Sequence, residues 1–312
     1  MTVVNQDQDG SVEERVENAN KFSIKTFIVE NKSMTVGLVI FGVIIFMAIF
    51  ADIIAPYRFD ERSNNCGVDY PYCSYAPPSW KHPFGTNILG RDVFSRVIYG
   101  SRIALQLSFF ATIMALLVGI PTGILSGYFG GKVDRLLNLI ADSIYSFPSL
   151  LLAIAAAIAL GQYGNLKTIL AVSIATSVVY GPLYFKVVRA QVLQIKNEPY
   201  VEAAESMGAG HLTILLRYVI PNVLAAPIAL VPFNMTEAIL VNAGLAFLGL
   251  GIQPPTADWG YDVFKNQSIV RVREQTWAIA FPALMIFLLS FAFALIGDAL
   301  NDRFNPLLED NL

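Results

Sequence analysis

The 312-residue chain is short of charge, histidine and cysteine. Charged residues make up 14 % of it, against roughly 25 % in soluble domains. Its length would suit two soluble domains, but so few charges argue against that reading. The two histidines, His82 and His211, are far apart in sequence, and neither suggests a nucleophile–base pair. A phosphate-binding loop is also missing. The nearest string, GYFGGKV at 127–133, has Ser126 where the first glycine belongs and Val133 where the magnesium-holding Ser or Thr belongs. The chain is therefore expected to be no enzyme and to bind no metal or cofactor itself. No basic patch with interleaved aromatics suggests nucleic acid, and a net charge of −3 says little about partners.

What the chain has in abundance is apolar sequence. Apolar residues make up 55 %, and the mean hydropathy is +0.55. A membrane span needs about 20 mostly apolar residues. Six runs qualify, at about 34–56, 103–126, 136–161, 167–188, 222–250 and 277–299. Asp142 and Pro148 interrupt the third and Glu237 the fifth. The sequence predicts an all-α membrane protein of six helices in a bilayer. Residues 1–33, with Glu13, Glu14, Glu17 and Glu30, read as a polar tail or surface helix; the following apolar run starts too late and is too long for a signal peptide. Residues 57–102 form one long segment between the first two spans, residues 103–300 hold the other five, and 301–312 form a second tail.

Six spans place both termini on one side. Lys and Arg divide almost evenly between the two sides, so the positive-inside rule is close to silent, although Lys132, Arg135, Lys186, Arg189 and Lys196 fall in short inner loops if the termini are cytoplasmic. The only cysteines, Cys66 and Cys73, both lie in the long segment. A pair so close suggests a disulfide on an oxidising side, with two unpaired thiols as the alternative. A metal site there lacks further ligands.

Between Asn197 and Pro221 the polar stretch NEPYVEAAESMGAGHLTILLRYVIP separates two long apolar runs. Asn197 suits an N-cap, Pro199 a first turn, and Glu198 and Glu202 the positive end of a helix. Gly208 suits a left-handed stop. Glu202-Ala203-Ala204, then Gly208, then Ile220-Pro221 resemble the EAA loop of membrane subunits of binding-protein-dependent ABC importers. Tyr218 and Ile220 depart from the Ile and Leu of that family's closing Ile-x-Leu-Pro.

Three further stretches resemble permeases of the dipeptide, oligopeptide and nickel branch of that family. They are His82-Pro83-Phe84-Gly85-Thr86 with Leu89 to Arg96 and Tyr99 to Arg102; Phe247 to Thr256 with Trp259-Gly260; and Gly297-Asp298 with Asp302. The likeness runs from about 34 to 306, and the one long first outer loop is similar to the C-type member of that branch's two permeases. It implies a type I importer fold, with spans two to five as the transport core. It also implies a second homologous permease, an extracytoplasmic solute-binding protein, and two ATPase subunits that carry ATP and Mg. The loop at 190–221 would couple to them through Tyr200, Glu202, Ala203, Ala204, Gly208 and Pro221. The family usually has Glu where this chain has Asn242, so no carboxylate role applies there.

Ala111, Ala115, Gly119, Gly123 and Gly127 recur every four residues, a small-residue stripe suited to close helix packing, and Pro121 within it suits a kink. Asp142, Asn234, Glu237 and Asn242 are polar groups inside spans, which need partners or a wet cavity. Asn234, Glu237 and Asn242 are the path candidates, read as roughly sharing one helix face; helix–helix bonding is their alternative role. A transporter driven by an ion gradient through Asp142 or Glu237, or a scaffold without a path, are the rival functions.

Overall fold

The computed structural model describes residues 31–63, 66, 73–160, 164–273 and 275–304. Apart from Lys32 and its neighbours, the acidic tail expected at 1–33 lies outside them, as do the last eight residues. The described elements are helices: α1 Lys32–Ile49, α2 Ala51–Ile54, α3 Val93–Phe129, α4 Gly131–Tyr145, α5 Ser149–Leu160, α6 Gly164–Ile195, α7 Pro199–Ser206, α8 His211–Ile214, α9 Ile220–Val223, α10 Ala225–Ala229, α11 Val231–Phe247, α12 Trp259–Arg273 and α13 Trp277–Phe304. A five-residue π-helical turn, Leu215–Val219, joins α8 to α9. Five helical stretches are long and apolar enough to cross a membrane, and the bent pair α4–α5 makes a sixth.

Several expected boundaries move. Asn31 caps α1 by accepting a hydrogen bond from the Met34 N–H at 3.1 Å, so the first span starts early. It breaks at Phe50, before α2. The segment expected to be loop up to 102 is already helical from Val93, because the Asp92 carboxylate accepts from the Ser95 N–H at 2.7 Å and caps α3. α3 then runs through Pro121 to Phe129. The expected third span is two helices meeting at 96°, with Pro148 at the break. Proline cannot donate the hydrogen bond that would carry α4 onward. The expected fifth span is several short helical pieces before α11, and Pro221 and Pro227 lie among them.

α3 and α6 form the most extensive helix pair. A Cβ on Gly119 would sit 2.8 Å from the Gly181 carbonyl oxygen, and one on Gly123 2.8 Å from that of Phe185. On Gly127 it would lie 2.7 Å from the Val192 Cβ. The small stripe thus lets two backbones touch where any side chain would force them apart. Around this pair, Leu107, Val172, Val241 and Leu245 join α3, α6 and α11, and Ile44, Ile239, Leu289 and Phe293 join α1, α11 and α13.

Candidate functional site

At the end of α6 the chain makes the hairpin α7–α8. Asn197 does not cap α7: its Nδ2 donates back to the Leu193 carbonyl at 3.0 Å, which leaves the N-cap position to Glu198. Pro199 opens the helix. Its end is a Schellman motif, with the Ala209 N–H bonded to the Ala204 carbonyl at 3.0 Å and the Gly208 N–H to that of Glu205 at 2.9 Å. Gly208 has φ +86°, and a Cβ there would meet nothing within 4 Å. Glycine is needed for backbone conformation, not for space.

The hairpin is split between a buried and an exposed side. Val201 packs with Ile124 of α3, Val188, Val192 and Ile195 of α6, and Ile214 of α8, and Ala204 is buried beside it. Tyr128 of α3 contacts the His211 ring through its hydroxyl at 3.0 Å, and Lys196 donates to the Gly127 carbonyl at 3.2 Å. Tyr200, Glu202, Ala203, Gly208 and Pro221 face outward, while Ala204 does not. Met207, Leu212 and Leu216 extend the exposed side with large apolar surface; Met207 is 81 % exposed. Sequence reading passed over these three. Leu212 and Leu216, four apart, belong to the stretch His211–Ala229, which is itself apolar enough to cross a membrane, whereas Met207 stands alone at the hairpin tip.

The three polar residues of α11 do not share one face. Asn234 is buried and accepts from the Thr112 hydroxyl of α3 at 2.9 Å. Asn242 is buried and donates to Asp258 at 3.0 Å. Glu237 is exposed, and its Oε2 accepts from the Tyr180 hydroxyl at 3.2 Å. At about 100° per residue, Glu237 and Asn242 stand about 140° apart, while Asn234 is only about 60° from Glu237 and is set apart by its bond to Thr112. Asp142 also faces out and pairs with Lys186 at 2.7 Å.

At the other end of α3 lies a buried polar clasp; Arg96, Pro255 and Thr256 fall in the family-like stretches, but Asp258 and Asp262 lie outside them. Arg96 bonds both oxygens of Asp262 at 2.9 Å, and its other nitrogens donate to the Phe59, Pro255 and Thr256 carbonyls. Asp258 caps α12 by accepting from the Tyr261 N–H at 2.7 Å. Burial pushes its carboxyl up to about 6, against the pull of that N–H and of Asn242. Burial also raises Asp262, against the attraction of Arg96. His82 bridges Asp92 and Ser63, each at 2.9 Å. Cys66 and Cys73 are joined as a disulfide in the same segment, with Cα atoms 5.2 Å apart. Among the described residues no cluster of His, Cys, Asp and Glu could hold a metal ion.

A helical membrane protein with an exposed hairpin at one end of its longest helix pair and a buried clasp at the other fits a transport subunit. The profile of the family "binding-protein-dependent transport system inner membrane component" matches residues 119–309, and that of the "N-terminal TM domain of oligopeptide transport permease C" matches 28–78. The chain belongs to this family of ABC importer permeases. It is a transport subunit, not an enzyme, and it works with ATPase and binding-protein partners. It is 35 % identical over 280 residues to the dipeptide transport system permease protein DppC of Alkalihalophilus pseudofirmus, covering 90 % of this chain and 88 % of that one. It is 34 % identical to the oligopeptide transport system permease protein OppC of Bacillus subtilis, over 89 % and 87 %. It is 37 % identical to the glutathione transport system permease protein GsiD of Escherichia coli, over 90 % and 88 %. A solved structure of the MetNI methionine ABC transporter is similar with a TM-score of 0.49 and 17 % identity, over 66 % of this chain and 97 % of that chain.

Proposed function

We propose that this chain is one permease of an ATP-driven peptide importer and forms half of its path with a second homologous permease. Two cytoplasmic ATPase subunits, which carry ATP and Mg, grip the α7–α8 hairpin, and an extracytoplasmic solute-binding protein delivers the substrate. Peptides are the substrate class because dipeptide, oligopeptide and glutathione systems name the relatives at 34–37 % identity. The observation that carries the coupling is the hairpin itself. Its buried side is keyed to α3 and α6, while Tyr200, Glu202, Ala203, Met207, Leu212 and Leu216 are left for a partner. A pull on the hairpin is therefore a pull on the central helix pair. Closing of the ATPase dimer draws two such hairpins together and rocks the path from inward-open to outward-open.

Orientation follows from α3. At 37 residues it is about 55 Å long, enough to cross the bilayer with its headgroups. The disulfide segment adjoins its first turn and the hairpin its last. A disulfide favours the oxidising outer side, which leaves the hairpin and both termini in the cytoplasm. Glu237 is the path residue we retain; the packing of Asn234 and Asn242 suits helix–helix bonding instead.

Glu202→Lys and Gly208→Val test the reading in proteoliposomes holding the whole assembly. Both variants should insert normally, lose peptide uptake and dock ATPase subunits poorly. Normal substrate-stimulated ATP hydrolysis in both would sink it. Family membership already stands against an ion-gradient transporter, and uptake that follows ATP but ignores ionophores would complete that separation.

A further inference from the structure

We infer that the break in the third span holds a subsite for the free ammonium group of a peptide, with Glu237 as its carboxylate and Tyr145, Phe147 and Tyr180 as its aromatic walls. The inference rests on the peptide reading above and adds the chemical group that is recognised inside the membrane.

Four observations converge on this place. First, α4 and α5 meet at 96°, and Ser146, Phe147 and Pro148 at the break are exposed. Irregular backbone at membrane depth survives only where protein covers it or it lines a wet cavity. Second, a cavity of about 290 Å³ lies there, lined by Tyr145, Phe147, Ser149, Tyr180 and Glu237 together with four aliphatic side chains. That is close to the lower end of the range for small-ligand sites, roughly 300–1,000 Å³. Third, Glu237 has no lysine or arginine partner among the described residues. A carboxylate at this depth needs a cation or water, and a substrate ammonium supplies the cation. Tyr180 donates to one oxygen of Glu237 and fixes its direction, leaving further acceptor sites on the carboxylate.

Fourth, the aromatic wall already holds an ammonium. Lys186 Nζ lies 4.7 Å from the centroid of the Tyr145 ring. Such a cation over a ring gains about 0.5–2 kcal/mol, more as water is excluded. Asp142 neutralises Lys186 at 2.7 Å, so Lys186 does not oppose a second cation beside Glu237. A bare metal ion suits the place poorly. Hard cations take about six or more oxygen ligands, and the cavity offers one carboxylate among rings.

The test uses the permease–ATPase complex in lipid nanodiscs without the soluble binding protein, so that only the membrane site reads the peptide. The probes are radiolabelled trialanine and N-acetyl-trialanine, followed by equilibrium binding. The native complex should prefer the free amine at least tenfold. Glu237→Gln should abolish the preference, Glu237→Asp should keep part of it, and Tyr180→Phe should weaken it severalfold. Co-elution of each variant with the ATPase subunits on size exclusion shows that it is assembled. Native complex that binds both forms alike, or neither, overturns the subsite, as does a preference that survives Glu237→Gln. If the full assembly with its binding protein imports no peptide at all, the peptide reading itself fails. Import without discrimination at the membrane site refutes the subsite alone.

Discussion

The two ends of the α3–α6 pair are held by opposite means. At the disulfide end, the central charged pairs are buried, with the Asp52–Arg102 and Arg58–Asp60 pairs exposed at its margin. The Arg96 and Asp262 side chains are 3 % and 6 % exposed, and those of His82 and Asp92 3 % and 1 %. Each tie joins parts of the chain that would otherwise be independent; Arg96 alone connects α3, α12, the segment before α3 and the Pro255–Thr256 turn. At the hairpin end, Asp134 and Arg189 are 22 % and 29 % exposed, and Asp142 and Lys186 63 % and 40 %. Contact there rests on the glycine stripe and on apolar keys such as Val192 and Val201. Smooth apolar contact resists sliding less than a saturated charge cluster does. Under the proposed coupling, the clasp end is the frame and the hairpin end the part that moves.

The sharpest way to break this contrast is to remove Arg96. Arg96→Ala leaves Asp262 buried without its partner and the Phe59, Pro255 and Thr256 carbonyls without their donor. Removing one side of a buried pair typically costs about 3–5 kcal/mol. The purified complex should lose most of its thermal stability or fail to accumulate in the membrane. A melting midpoint within a few degrees of the native value would mean that the clasp is ornamental.

The next effect is a pH dependence that belongs to the clasp end. Burial lifts Asp258 to about 6 in the fold, from the ordinary 3.8. Between those values the folded chain holds a proton that the unfolded chain has released. Stability is thus fully present below about pH 4 and falls as pH rises through about 6. At about 1.4 kcal/mol per unit, the span is at most about 3 kcal/mol. The native complex should melt at a higher temperature at pH 5 than at pH 7.5. Asp262, raised in the same direction, adds the same sign. Asp258→Asn should flatten the profile, because its amide can donate to the Asn242 Oδ1, which now lacks a partner, once the Asn242 amide turns. An unchanged slope in that variant would place the titration elsewhere.

How far the sequence disclosed this arrangement follows from the range of the interactions. Hydropathy located the apolar runs, since each run is a local property. It marked Pro148 as an interruption but not the 96° bend there, nor the π-turn before Pro221, where the consequence of a proline depends on what packs beside it. The hairpin was legible in outline from Pro199, Glu202 and Gly208, all of which act within a turn or two. Which of its residues face out was not: Ala203 and Ala204 are neighbours in sequence and lie on opposite sides of the packing. The clasp was hidden for a stronger reason. Arg96 and Asp262 are 166 residues apart, and no periodicity joins them. Asn234 and Asn242 looked like path residues because an isolated polar group in a span invites that reading, until Thr112 and Asp258 supplied their partners.

The smallest expected effect closes the comparison from the hairpin end. Asp134, near the start of α4, accepts from Arg189 Nη2 of α6 at 2.9 Å and from the Asn138 amide at 2.6 Å. The geometry is as good as that of Arg96 with Asp262, but water reaches both partners. Exposed pairs are typically worth about 0–1 kcal/mol. Asp134→Asn should therefore shift the melting midpoint by no more than a few degrees, and the remaining shift should shrink in high salt, where screening weakens a wet pair further. If the hairpin end is the moving part, the same substitution should change ATP-driven uptake more than it changes stability, because α4 and α6 are then less firmly tied as the hairpin pulls. A loss of stability equal to that of Arg96→Ala would show that both ends are equally rigid, and the frame would then extend through the whole pair.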